Sequence, residues 1–177
     1  MGGESRELSQ DPTGSLLGFY DAALPSVYGY LSTRCGRSAL AEDLTAETFL
    51  AAVDAVRGDE APVLSMPWII GVARHKLVDH WRRQAREERN LRAVGEQDEV
   101  ACEGPWDTRL DALRARETLD TLGPHHRAAL TLRYIDDLPV PEVADLMKRT
   151  VHATEALLVR ARAAFRRAYT ENEAGHG

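Results

Sequence analysis

Trp68, Arg74, Lys76, Arg82, Arg83 and Arg86 crowd into residues 68–86. The chemistry this combination offers is adhesion to a polyanion. Cationic side chains neutralise phosphates, and an indole beside them stacks on an unpaired base; Trp68 and Trp81 flank the basic run. Residues 71–92 hold seven Arg or Lys against three acids, a local charge of +4 in a chain whose formal total is -6. A solvated helix with Asp79 and Arg83 as an i,i+4 pair would account for the composition equally well, so two readings stand open on these residues alone.

Charge elsewhere is segregated too. Residues 148–170 sum to +5, whereas 1–70 sum to -6 and 93–120 to -5. Two basic segments therefore sit in an acidic chain, and the local field decides where a polyanion binds. Bond-making chemistry has no residues to stand on: nucleophile, glycine-loop and metal motifs are absent. His75 and His80 are five apart rather than four, and adjacent His125 and His126 point about 100° apart on a helix. Cys35 and Cys102 are far apart, without a Cys-x-x-Cys, and read as reduced thiols. The expectation is a protein without catalytic residues, metal or cofactor.

The elements that must position these side chains follow from period and punctuation. Leu16, Leu17, Phe19, Tyr20, Leu24, Val27, Tyr28 and Leu31 recur at helical spacing, with Pro25 placed to kink or break the helix. Ser38 is placed to cap a second helix over 39–56, where Leu40, Leu44, Phe49, Leu50, Val53 and Val56 form a wide apolar stripe and Glu42, Asp43, Glu47 and Asp54 lie on other faces. Residues 57–65 contain Gly and Pro without a period and read as a loop. Pro67 then opens a long helix over 66–92, with Ile70, Ala73, Leu77 and Trp81 on its core face and the cations elsewhere.

Residues 93–108 are acidic and aperiodic, a linker. Beyond it a helix reaches Leu122 and Gly123-Pro124 breaks it. A further helix over 127–135 carries Leu130 and Tyr134 at i,i+4, and Asp136-Asp137-Leu138-Pro139 turns the chain. A short helix over 140–147 with Val143, Ala144 and Met147 inward, a tight turn at Lys148-Arg149-Thr150, and a longer basic helix from Val151 to about Tyr169 make a helix-turn-helix. The fold expected is all-α: a leader over 1–14, two small helical domains over 15–92 and 109–170 joined by the acidic linker, and a tail over 171–177. No apolar run approaches a membrane span and no signal peptide opens the chain. A cytoplasmic protein with no membrane contact of its own is expected.

In this order the segments resemble the bacterial RNA polymerase sigma factors of the extracytoplasmic-function type. Pro-Trp-Ile-Ile-Gly-Val-Ala-Arg-His-Lys-Leu-Val-Asp-His-Trp-Arg-Arg over 67–83 is similar to the helix that melts and reads the minus-ten element, with His75 where Asn is common. Ala-Glu-Asp-Leu-Thr-Ala-Glu-Thr-Phe-Leu over 41–50 is similar to the polymerase-binding helix, with Ala46 where Gln is usual. Leu-Gly-Pro-x-x-Arg over 122–127, Glu142-Val143-Ala144 and Arg160-Ala161-Arg162 resemble the domain that reads the minus-thirty-five element.

The resemblance implies a factor that binds core RNA polymerase through Asp43, Glu47 and Phe49. It implies minus-ten contacts from Trp68, Arg74, Lys76, Arg82, Arg83 and Arg86. It implies minus-thirty-five contacts from His152, Thr154, Glu155, Arg160 and Arg162. Promoter DNA, core polymerase and an anti-sigma factor are the partners implied. Lys148-Arg149-Thr150 departs from the family's Gly-containing turn, and Glu155 and Leu157 stand where Lys or Arg is common. A helix-turn-helix repressor or activator with a helical sensing or dimerising domain is the other class that these elements admit.

Overall fold

Helix α1, Pro12–Cys35, continues through Pro25. Pro25 and Asp21 are both exposed, so the carbonyl left without its N–H partner lies on the open side of the helix, and of the kink or break expected there the break is not made. Ala23, Val27, Leu31 and Cys35, each four residues from the last, are the buried row of α1. Described in this computed structural model are residues 12–58, 60–91 and 112–174, with side chains over 17–171. The leader before residue 12, the acidic linker, Cys102 and Trp106 lie outside the described residues.

Helix α2, Ser38–Arg57, packs along α1. Arg37 occupies its cap position without a side-chain hydrogen bond, so Ser38 is the first helical residue rather than the cap. Its buried side is Ala41, Leu44, Thr45, Thr48, Phe49 and Ala52. The two threonines are compatible with burial because each hydroxyl donates within the helix, Thr45 to Ala41 O and Thr48 to Leu44 O, both at 2.7 Å. Leu50, expected in the core, is 64% exposed instead.

Helix α3, Met66–Leu91, has Pro67 in its first turn, where a missing N–H leaves no bond unmade. Ile69, Ala73, Leu77, Trp81 and Ala85 are buried, with Val78 beside them, so Ile69 and not Ile70 heads the stripe. Four residues exceed one helical turn by about 40°. The buried row therefore winds around α3, and the faces left for the cations wind with it.

The chain divides into two compact units, 1–76 and 77–177. Described residues of the second unit include α4 (Ala112–Thr121), α5 (Pro124–Leu130), a π-helical turn (Thr131–Ile135), α6 (Val140–Met147) and α7 (Val151–Ala174). Its core joins Leu130, Ala161, Phe165 and Tyr169, with Ala115, Leu119 and Leu122 packed against them. The Leu-Gly-Pro-x-x-Arg motif acquires a physical role here. Gly123 and Pro124 start α5, and Arg127 reaches back to donate to the carbonyls of Leu119, at 3.0 Å, and Asp120 in the last turn of α4, where Leu119 O also accepts from Leu122 N–H at 3.2 Å. Arg114 holds the other end, donating to Tyr169 O at 2.9 Å with its guanidinium 4.2 Å above the Tyr169 ring.

The helix-turn-helix is built as the sequence predicts, with Val143, Ala144 and Met147 buried on α6. Lys148 ends α6 in the left-handed conformation, φ 53° and ψ 51°, and Arg149 N–H returns to Ala144 O at 2.9 Å. Thr150 caps α7, its hydroxyl accepting from Ala153 N–H at 3.2 Å. The π turn is the departure. Asp136 N–H bonds to Thr131 O, five residues back, at 2.9 Å. This wider turn breaks the i,i+4 relation expected of Leu130 and Tyr134: Leu130 is 3% exposed and Tyr134 45%.

Candidate functional site

On α2 the residues that face outward are spaced as one stripe: Asp43 and Asp54 are exposed, Leu50 lies between them, and Glu47 is half-buried. Steps of four, three and four residues bring them to one face. The surface is acidic with an apolar centre, suited to a basic partner that also carries an aliphatic side chain. Leu50 is the member that sequence reasoning missed, and the spacing from Asp43 through Glu47 to Asp54 was the available signal. Phe49 belongs to the interior. It is 7% exposed and meets the Tyr20 ring edge-on with centroids 4.5 Å apart, which corrects its expected partner contact to a supporting one.

On α3, Arg83 and Arg86 are exposed and Arg74 half-buried. Asp79 pairs with Arg82 at 2.8 Å, not with Arg83, and the Arg82 side chain is only 17% exposed. Arg82, expected to meet phosphate, is thus already engaged. Lys76 approaches Glu47 at 3.9 Å. Trp68 is half-buried at the start of the helix. Trp81 is fully buried, with its indole N–H unpartnered, so it fills the core and cannot stack on a base.

On α7 the outward row is His152, Glu155, Val159, Arg162 and Arg166, alternating steps of three and four. Glu155 and Arg162 are two turns apart on this row. Arg160, two residues from Arg162, lies about 160° around the helix from it, so the two expected phosphate contacts do not share a face. Thr154 is corrected outright. It is 0% exposed, and its hydroxyl donates to Thr150 O at 2.9 Å, which leaves nothing to offer a base edge. Leu157 and Leu158 are also buried and belong to the unit's core side.

Beside the turn, burial holds the Arg149 guanidinium below its ordinary range, with the neighbouring cation Arg160 acting in the same direction. His125 is lowered to about 4 by burial first and by Arg149 next, and neither ring nitrogen has a hydrogen-bond partner. A neutral imidazole is the form this cationic neighbourhood accepts. No group of three or more His, Cys, Asp or Glu converges among the described residues, and no described helix is long and apolar enough to cross a membrane.

Comparison with known proteins follows this division of labour. Sigma-70 region 2 matches residues 19–87, which carry most of α1, α2 and α3, and Sigma-70 region 4 matches residues 112–165, from α4 into α7. The ECF RNA polymerase sigma factor BldN of Streptomyces coelicolor is 32% identical over 151 residues, a match covering 80% of this chain and 55% of BldN. The chain thus spans about half the length of that relative. The ECF RNA polymerase sigma factor SigM of Bacillus subtilis is 28% identical over 149 residues, covering 81% of this chain and 88% of SigM. Among solved structures, the sigma factor RpoE from Bartonella quintana, crystallised with the anti-sigma factor NepR, has a similar fold. The TM-score is 0.53 at 18% identity, over 88% of this chain and 97% of RpoE.

Proposed function

We propose that this chain, which belongs to the sigma-70 family and within it to the ECF group, binds core RNA polymerase, directs it to a two-element promoter and helps open the minus-ten region. The observation that carries the proposal is the order of the two matched regions together with the surfaces they expose. An acidic stripe lies on α2, a basic helix follows it, and a helix-turn-helix closes the chain. Each surface is complementary to one partner: the α2 stripe to a basic surface of the polymerase, α3 to the melted strand and α7 to the upstream duplex.

Asp43, Glu47 and Leu50 form the polymerase face in this reading. Arg74, Lys76, Arg83 and Arg86 hold phosphates, and Trp68 stacks beside the loop from which a base leaves the duplex. His152 and Glu155 face base edges, where a carboxylate accepts from cytosine N4, and Arg162 holds a phosphate. Catalysis belongs to the polymerase. The working compartment is the cytoplasm, where that enzyme and its template are. An anti-sigma protein is the remaining partner of this proposal; RpoE, a solved structure of similar fold, was crystallised with one.

Run-off transcription with purified core enzyme and genomic fragments tests the proposal. A transcript that depends on adding this chain is the expected result. Tight, sequence-specific DNA binding by the chain alone, without stimulated transcription, would instead identify a repressor or activator.

A further inference from the structure

Tyr134 sits on a segment with an unusual backbone and makes a bond that spans 28 residues: its hydroxyl accepts an N–H from Arg162 at 3.1 Å. Two features bring it there. The π turn over Thr131–Ile135 takes Tyr134 off the buried face that Leu130 occupies, and the side chain emerges toward α7. Arg133 then flanks the ring, its guanidinium 5.7 Å from the Tyr134 centroid. Arg133 is itself anchored, donating to Leu138 O at 3.2 Å and standing 3.7 Å from the Asp137 carboxylate. The turn ahead of α6 thus supports Arg133, Arg133 supports the ring, and the ring's hydroxyl holds Arg162.

Arg162 lies on the outward row of α7, two turns beyond Glu155, and among the described residues no carboxylate pairs with it. A long side chain on an open helix face samples many rotamers, and ordering it on a phosphate loses that freedom. A guanidinium already held by one of its five N–H donors has less to lose and keeps the others for the ligand.

We propose that Tyr134 is a positioning residue for promoter binding, its hydroxyl pre-setting Arg162 for a DNA phosphate beside the minus-thirty-five element. This inference rests on the reading of α7 as the duplex-binding helix. Tyr134 itself touches no base in this scheme; it acts through Arg162.

The test uses the full chain assembled with core polymerase and, as probe, the genomic fragment that yields a run-off transcript with the unaltered protein. Failure to obtain any such fragment overturns the functional reading and this proposal together, before any variant is made. With a fragment in hand, Tyr134→Phe removes one oxygen and keeps the ring. It is expected to weaken promoter binding about 3- to 10-fold, the range of an ordinary lost hydrogen bond, and to lower the salt-dependence slope by up to about 0.9. In an Arg162→Ala background the same substitution is expected to change nothing. Unaltered binding by Tyr134→Phe overturns the proposal, and so does an equal loss in both backgrounds, since the hydroxyl would then act without Arg162. A thermal melt of each variant accompanies the titration. A lowered melting temperature with an unchanged salt slope assigns the hydroxyl to folding and overturns the proposal as well.

Discussion

The Glu47 carboxylate lies 3.9 Å from the Lys76 ammonium, joining the acidic stripe of α2 to the basic helix α3. Each side chain is about one-third to two-fifths exposed, so the pair is screened and worth about 0.2–1 kcal/mol. It also joins two residues proposed to serve different partners, polymerase for Glu47 and DNA for Lys76. Lys76→Gln is therefore expected to release Glu47 and tighten core polymerase binding about two- to five-fold. A competition titration against unaltered protein measures this, and equal affinities would show that Lys76 does not compete for Glu47.

Thr154 and Glu155 are neighbours with opposite surroundings, and substitution is expected to separate them. Thr154→Ala removes a buried hydroxyl bonded to Thr150 O and should lower stability by about 1 kcal/mol, leaving the ranking of promoters unchanged. Glu155→Ala should leave the melt unchanged and re-rank promoters, because Glu155 is exposed at the front of α7. Uniform scaling of every promoter by Glu155→Ala would remove its assignment as a base contact.

Among the described residues two non-glycine residues adopt positive φ, Asp137 at 52° and Lys148 at 53°. For Lys148 the left-handed conformation brings Cβ against its own backbone, an effect of about 1–2 kcal/mol that the greater unfolded-state freedom of glycine offsets in part. Lys148→Gly is expected to stabilise the protein by about 0.5–1 kcal/mol. Asp137→Gly is expected to gain nothing, since aspartate tolerates this region and its carboxylate stands 3.7 Å from Arg133. Chemical denaturation of both variants checks the contrast.

His125 makes stability depend on pH in one direction. Its folded pKa, about 4, lies below the ordinary 6.5, so the unfolded chain binds the proton more readily. Stability from the neutral ring is complete above pH 6.5 and is lost as pH falls through 6.5 toward 4. Against the unaltered protein, His125→Phe is expected to flatten the melting temperature over that window, after the carboxylates' shared contribution is subtracted. Parallel curves would mean that the ring titrates alike in both states.

The long helix α3 and the helix-turn-helix were legible because their signals are local. Pro67 opens one, and the basic run after a short amphipathic helix marks the other. Finer assignments failed where two apolar residues are adjacent. Neither Ile69 against Ile70 nor Phe49 against Leu50 can be ordered by period alone. Each member of such a pair is 100° from the other, and the packing partner decides which turns inward. The resemblance implied Phe49, and not Leu50, as a polymerase contact, while the period placed both in the apolar stripe. Thr154 misled for a related reason: threonine is both a base-contacting residue and one that buries its hydroxyl on the preceding turn. Asp79 illustrates the limit for charges, since both Arg82 and Arg83 were within reach and only the rotamers chose Arg82.

The π turn also sets how chain length can vary in this domain. A π turn holds one more residue than the α turn it replaces, and here it closes α5, with residues 136–139 leading on to α6. Shortening residues 131–135 by one would let the segment close into α geometry, with the non-helical residues 136–139 left to take up the difference before α6. The same excision in α2 or α7 would rotate everything downstream by about 100° and turn an outward face into the core. Natural length variation among relatives should thus be tolerated at this turn and excluded from the helices around it, and any relative lacking the extra residue would have to place the arginine proposed to hold a phosphate without a tyrosine at this position.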